Sequence, residues 1–250
     1  NIVDILAISA IASIPDMSSD ALLYESIEAG SLESDPFLTS AERVYRILLQ
    51  KIIKGEFPPG TRLPRRKLAE LTGVSQIPVL EAMKRLEQDG LIEYRARCGC
   101  IVTIPTAHKI LDMYALREAI ECQIARILSQ KITPEQAQIL LKKAEHLDSI
   151  LYTEVEESYV SDLHYRFHIQ LAEATEYESL INQLRKANLL WLLWRGIHSK
   201  REQKVVPKDS HRELIQAILS KDSQKAEETM RIHILEARGP MLEEYGIKTI

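Results

Sequence analysis

His164 and His168 stand four residues apart in a stretch of helical periodicity. That spacing is about one turn, so both imidazoles leave one face of a helix and can share a metal ion. Two further histidines lie where they can converge with them. His211 falls in the first turn of a helix that Ser210-x-x-Glu213 opens with the pattern of a capping box, and His233 sits between Ile232 and Ile234 on the last helix. Position 165 is Tyr and not the Glu of an HExxH helix, which disfavours metalloprotease chemistry. His108, His146 and His198 have no such company and are expected at the surface.

A second kind of chemistry is concentrated in residues 38–105, where twelve Lys and Arg stand against seven Asp and Glu for a local charge of +5. Residues 1–37 carry −7, with no basic residue, and residues 106–250 carry −2, so the overall −4 averages over three unlike segments. A basic segment in an acidic chain is the electrostatic footprint of nucleic-acid binding.

The elements that must position these groups follow from periodicity and caps. Thr39 or Ser40 can cap a helix with Val44, Ile47, Leu48 and Ile52 on one face, which Gly55 can end. After the Pro58-Pro59-Gly60 turn, a short helix runs over about 65–71, and Gly73 breaks it before Ser75 caps the next. In that third helix Val79, Ala82, Met83 and Leu86 make the buried stripe, with Gln76, Ile77, Leu80, Glu81 and Lys84 on or near the other face. Two short helices joined by a glycine turn are a helix-turn-helix. Residues 91–94 and 100–104 read as two strands around Arg95, Arg97 and Gly99, a wing with two arginines near its tip. From 106 onward the pattern is helical. Met113, Leu116, Ile120 and Ile124 form one stripe, Thr133-Pro134-Glu135-Gln136 is a helix start, and six helices in all suggest an antiparallel bundle whose interior is a natural pocket. The fold class is thus mainly α. An acidic tail or linker (1–37) precedes a winged helix-turn-helix (38–105) and an all-helical domain (106–250).

Composition narrows the function. With 250 residues, 45% hydrophobic and 27% charged, the chain is long enough for two cores. Three cysteines give no disulfide framework and fit a reducing cytosol, so a cytoplasmic location is expected. No run of 18 apolar residues occurs. The 2–14 stretch is apolar, but Asp4 interrupts it and no basic residue precedes it, which argues against a signal peptide.

Residues 38–105, with GEFPPGTRLPRRKLAELTGVSQIPVLEAMKRLEQDGLIEYRARCGCIV, resemble the winged-helix domain of GntR-family bacterial transcription regulators: the PPG turn, LAE, GVS, RLE, DGL and the wing glycine fall in order. The resemblance implies a recognition helix in the major groove of double-stranded operator DNA and a wing at the minor groove. It also implies that Arg65, Arg66, Ser75, Gln76, Ile77, Leu80, Arg95, Arg97 and Gly99 are DNA contacts. Where the family has arginines, this chain has Gln76 and Leu80. Gln can bond adenine on two atoms, and Leu can touch only a thymine methyl.

Residues 106–250, through YALREAIE, HYRFHIQLAEAT and SHRELIQAILSKDSQKAEETMRIHI, resemble the FCD effector domain of the FadR subgroup of that family. The resemblance implies a divalent metal held by Asp-x-x-x-His and two later histidines. Here the last three align with His168, His211 and His233, while His164 occupies the aspartate position. Asp162 cannot replace that carboxylate, because two residues turn a helix by about 200°. A four-imidazole site is therefore expected, suited to Zn, Ni, Cu or Co over Mg or Ca, with Zn or Ni foremost. Arg117 matches a position that lines the family's pocket and is the expected partner of a small carboxylate effector.

These elements predict a homodimeric, ligand-responsive transcription regulator that binds a near-palindromic operator. As a repressor, it would release DNA when the effector binds. A metal-dependent enzyme with an appended nucleic-acid module is the alternative. It requires a general base at the metal, and no Glu or Asp shares the helical face of His164 and His168. A protein-binding adaptor leaves the basic winged helix unexplained.

Overall fold

The computed structural model describes residues 38–151, 153, 157–198 and 209–243, with the side chains of residues 157, 158, 194–198 and 239–241 excepted. The acidic segment 1–37 and the side chain of His198 lie outside these residues.

Helix α1 (Ser40–Ile53) begins where Thr39 Oγ1 accepts the N–H of Glu42 at 3.1 Å and buries Val44, Tyr45, Leu48, Leu49 and Ile52. Helices α2 (Arg65–Thr72) and α3 (Gln76–Gln88) form the helix-turn-helix around Gly73, whose left-handed φ of 67° ends α2. Val79, Ala82, Met83 and Leu86 of α3 are buried as the stripe requires. Strands β1 (Ile92–Arg95) and β2 (Gly99–Val102) pair antiparallel, with Ile92 opposite Val102 and Arg95 opposite Gly99. Arg62 bridges Ile101 on the outer side of β2, and Val102 donates its N–H to Thr61 O at 3.0 Å. At the wing tip Arg97 (φ 67°) and Gly99 (φ 77°) both take the left-handed conformation. The strands begin and end within two residues of the sequence expectation.

Six helices follow among the described residues: α4 (Ala107–Lys131), α5 (Pro134–Ile150), α6 (Glu157–Glu173), α7 (Glu178–His198), α8 (Ser210–Leu219) and α9 (Ser223–Glu243). Thr106 caps α4, the full capping box of Thr133 and Gln136 opens α5, and Asp222 Oδ1 accepts the N–H groups of Gln224 and Lys225 at the head of α9. Helix α4 packs along α9 and also meets α6, α7 and α8, so it forms the spine of the bundle. The winged segment is tied to this bundle by packing of α1 against α7 and by contacts at the junction. Lys109 Nζ of α4 bonds Glu93 Oε2 of β1 at 2.6 Å. Gly90 (φ 77°), whose carbonyl accepts from Thr103 Oγ1 at 2.6 Å, lies where a Cβ would stand 3.5 Å from Leu190 of α7.

Three local details differ from the sequence reading. Leu116, placed on the buried stripe of α4, is 44% exposed, and Arg117 and Glu121 take inward positions instead. Ser75 precedes α3 as expected, but its side chain makes no capping bond. Ser210 does not cap α8 either. It is the first helical residue, behind a left-handed Asp209, and the cap comes from outside the segment.

Leu86 is completely buried. Leu86→Ala is expected to destabilise the winged segment by about 2–5 kcal/mol, read by chemical denaturation followed by circular dichroism. A loss under about 1 kcal/mol would show that the helix-turn-helix does not rest on this packing.

Candidate metal centre and nucleic-acid interface

The bundle brings His164 and His168 of α6, His211 of α8 and His233 of α9 together. One ring nitrogen of each lies within 4.8 Å of the others, and all four are buried. The ring centroids of His164 and His168 are 4.5 Å apart, and those of His211 and His233 4.7 Å. His168 Nε2 and His233 Nε2 stand at 3.3 Å. Two nitrogens of a tetrahedral site with Zn–N of about 2.0–2.1 Å are separated by about 3.3–3.4 Å, so this pair already has the edge length of such a site.

Two carboxylates from other helices orient the rings. Asp148 of α5 stands with Oδ1 2.6 Å from His211 Nδ1 and accepts the N–H of His211 at 3.2 Å and of Arg212 at 2.9 Å. It is both the outer partner of the imidazole and the cap that Ser210 does not provide. Glu121 of α4 contacts His168 Nδ1 through Oε2 and accepts from Arg117 Nε through Oε1 at 2.7 Å. In both histidines a carboxylate engages Nδ1 and leaves Nε2 as the nitrogen facing the cluster, the arrangement common behind metal-ligating imidazoles. Burial would raise the Glu121 carboxyl, but the charge of Arg117, then that of His168, and their hydrogen bonds overcome it and hold its pKa at about 2. Burial, followed by the neighbouring His211, His168 and Arg117, pushes His233 well below the ordinary imidazole value. A neutral imidazole is what ligation requires.

Arg117 is 2% exposed, with its guanidinium 5.7 Å from the Trp191 ring centre and 5.6 Å from that of Tyr114. Its Nη1 is buried without a hydrogen-bond partner among the described residues. Trp191 stacks on His164 at 5.0 Å, while the side chain of Trp194 lies outside the described residues. One turn before Trp191, the buried Asn188 has neither amide atom hydrogen-bonded among the described residues. Sequence reasoning missed Glu121, Asp148 and Asn188. The Arg117/Glu121 spacing of four was a visible ion-pair signal, whereas nothing in the sequence couples Asp148 to a histidine 63 residues away. His108 is exposed, whereas His146, expected at the surface, is half-buried.

In the winged segment Arg65, Arg66, Ser75, Gln76, Ile77, Arg95 and Arg97 are exposed, and Leu80 and Gly99 are half-buried. Arg66 pairs with Glu70 at 3.5 Å and Arg95 with Glu93 at 2.7 Å. Exposed pairs of this kind are worth about 0–1 kcal/mol and yield readily to a phosphate.

The family model described as bacterial regulatory proteins, gntR family, matches residues 40–102, and the FCD domain model matches residues 112–236. The uncharacterised HTH-type transcriptional regulator YdhC of Bacillus subtilis is 28% identical over 194 residues, which cover 76% of this chain and 85% of that protein. The Uxu operon transcriptional regulator of Escherichia coli is 27% identical over 233 residues, 82% of this chain and 89% of the relative. The solved structure of E. coli McbR/YncC shares the fold, with a TM-score of 0.69 at 16% identity over 84% of this chain and 100% of that one. With its helix-turn-helix and wing matched by the first model and half its length by the second, the chain belongs to the GntR family of bacterial transcription regulators, in the branch that carries an FCD effector domain, and is not an enzyme.

Proposed function

We propose that the protein is a cytoplasmic, homodimeric repressor whose DNA-binding segment (38–105) is released from its operator when a small carboxylate binds at a metal in the helical domain (106–250). The observation that carries this reading is the convergence of four buried imidazoles beside a buried arginine with an unpartnered Nη1. His164, His168, His211 and His233 hold a divalent transition metal, Zn or Ni foremost, since all-nitrogen ligation favours these ions over Mg or Ca. When bound, the metal supplies a Lewis-acidic position that coordinates an anion's oxygen. Glu121 and Asp148 fix ring orientation and tautomer. Arg117 bonds the far carboxylate oxygen through Nη1, and Asn188 offers one donor set and one acceptor to the rest of the molecule.

DNA contacts are assigned to Arg65, Arg66, Ser75, Gln76, Ile77, Leu80, Arg95, Arg97 and Gly99. Leu111 and Leu116 of α4 and Ile232 of α9 are 39–48% exposed, which supports a two-fold interface that would present two recognition helices to a near-palindromic site. Effector binding shifts this equilibrium only as far as it favours one placement of the winged segments over the other.

Protein purified without a polyhistidine tag is expected to carry about one equivalent of transition metal per chain, measured by elemental analysis. His168→Ala is expected to lose it. Less than about a tenth of an equivalent, unchanged in that variant, would overturn the metal assignment.

Asp148→Ala removes the outer partner of His211 and the cap of α8. Metal affinity by chelator competition is expected to fall about 10–100-fold, and the helical domain to lose about 1–2 kcal/mol. An unchanged affinity would mean that Asp148 serves only α8.

Mobility-shift titrations against operator DNA are expected to show release by a small carboxylate in the native chain and none in Arg117→Gln. Tighter DNA binding with effector would reverse the regulatory sign.

A further inference from the structure

The N-terminal half of α3 presents a surface without a free guanidinium. Its buried residues Val79, Ala82, Met83 and Leu86 fix which residues point away. At about 100° per residue, Ile77 stands almost opposite the centre of that buried stripe, with Lys84, the exposed Glu81 and Leu80 beside it and Gln76 at the margin. Ile77 is 70% exposed, a large apolar side chain at the centre of a solvent face. The single arginine of α3, Arg85, is engaged elsewhere: its guanidinium lies 3.9 Å over the Tyr45 ring and bonds Glu42 of α1. Lys84 lies seven residues beyond Ile77, about 10 Å along the helix axis, whereas recognition helices reach base edges chiefly through their N-terminal residues.

The major groove displays one apolar group, the C5 methyl of thymine, and guanine is read above all by the paired donors of Arg or Lys at O6 and N7. Ile77 and Leu80, three residues apart, form a continuous apolar contact, and Gln76 beside them matches adenine N6 and N7. Glu81, on the same face, is an acceptor only: it can take an amino hydrogen of cytosine N4 or adenine N6 and has no donor for guanine O6 and N7. We infer that this recognition helix reads thymine methyls with Ile77 and Leu80, and adenine with Gln76, so that the operator base pairs beneath its first two turns are A·T and not G·C. The inference rests on the DNA-binding reading above and adds the base class to it.

The test is selection of tight-binding duplexes from a random library with the full chain, followed by replacement of half-site thymines with deoxyuridine, which removes the methyl and nothing else. A·T pairs are expected at the central half-site positions. Each contacted methyl lost is expected to weaken binding about fourfold, the effect of one methyl-sized group buried, and 5-methylcytosine is expected to be tolerated where cytosine is not. Ile77→Ala, at an exposed position that leaves the melting temperature unchanged, is expected to bind thymine and uracil sites equally. Leu80→Arg is expected to move the preference toward guanine by about tenfold. Selected half-sites with G·C at these positions, or indifference to deoxyuridine, overturn this inference and leave the regulator reading standing. Absence of salt-dependent binding to any duplex overturns both.

Discussion

Desolvating a carboxylate costs several kcal/mol unless partners repay it, and Glu121 lies 1% exposed on the helix that forms the spine of the bundle. Arg117, one turn earlier on α4, and His168 on α6 supply the compensation. The pairing constrains more than charge. It sets the inward face of α4, draws α6 to it through His168, and leaves Arg117 with one buried nitrogen unused. Asp148 does the equivalent work on the other side, joining α5 to the first turn of α8 through His211. Four buried imidazoles are tenable together because the carboxylates bonded to two of them fix which nitrogen faces inward.

How much of this was visible in the sequence depended on the range of each interaction. His164 and His168 were legible because their relation is one helical turn, and the capping box of Thr133 and Gln136 because it closes within four residues. His211 and His233 were placed by the resemblance to the FCD domain. Asp148 was not legible, since its partner lies three helices later. The same long-range contact defeated the local signal at Ser210, whose capping pattern is correct in type but superseded once Asp148 occupies the N–H groups of His211 and Arg212. Leu116 fits the spacing of a buried stripe, yet α4 turns Arg117 and Glu121 inward and leaves it at the surface. Burial of a polar pair is a tertiary outcome that apolar periodicity does not register.

The winged segment was more legible, because its rules are local: glycine at Gly73 where the chain turns left-handed, apolar residues on one face of α3, and a glycine at the turn of the wing. Even there, the sequence could not show which charged side chains are engaged. Arg85 counts toward the basic charge of the segment but is spent on Tyr45 and Glu42, and Arg66 and Arg95 are shared with glutamates. The charge that DNA meets is therefore set by how firmly each pair holds as much as by the number of arginines.

On α7, consecutive residues touch different parts of the molecule. Leu190 fills the space beside Gly90, at the turn that leads into the wing, and Trp191 lies against the ring of His164. One peptide bond separates the two contacts, so a single turn of α7 borders both the histidine cluster and the chain that leads into the wing. A Cβ on residue 90 would meet Leu190 at 3.5 Å, an ordinary contact, so it is the left-handed φ of 77° and not crowding by α7 that calls for glycine where the DNA-binding segment meets the bundle.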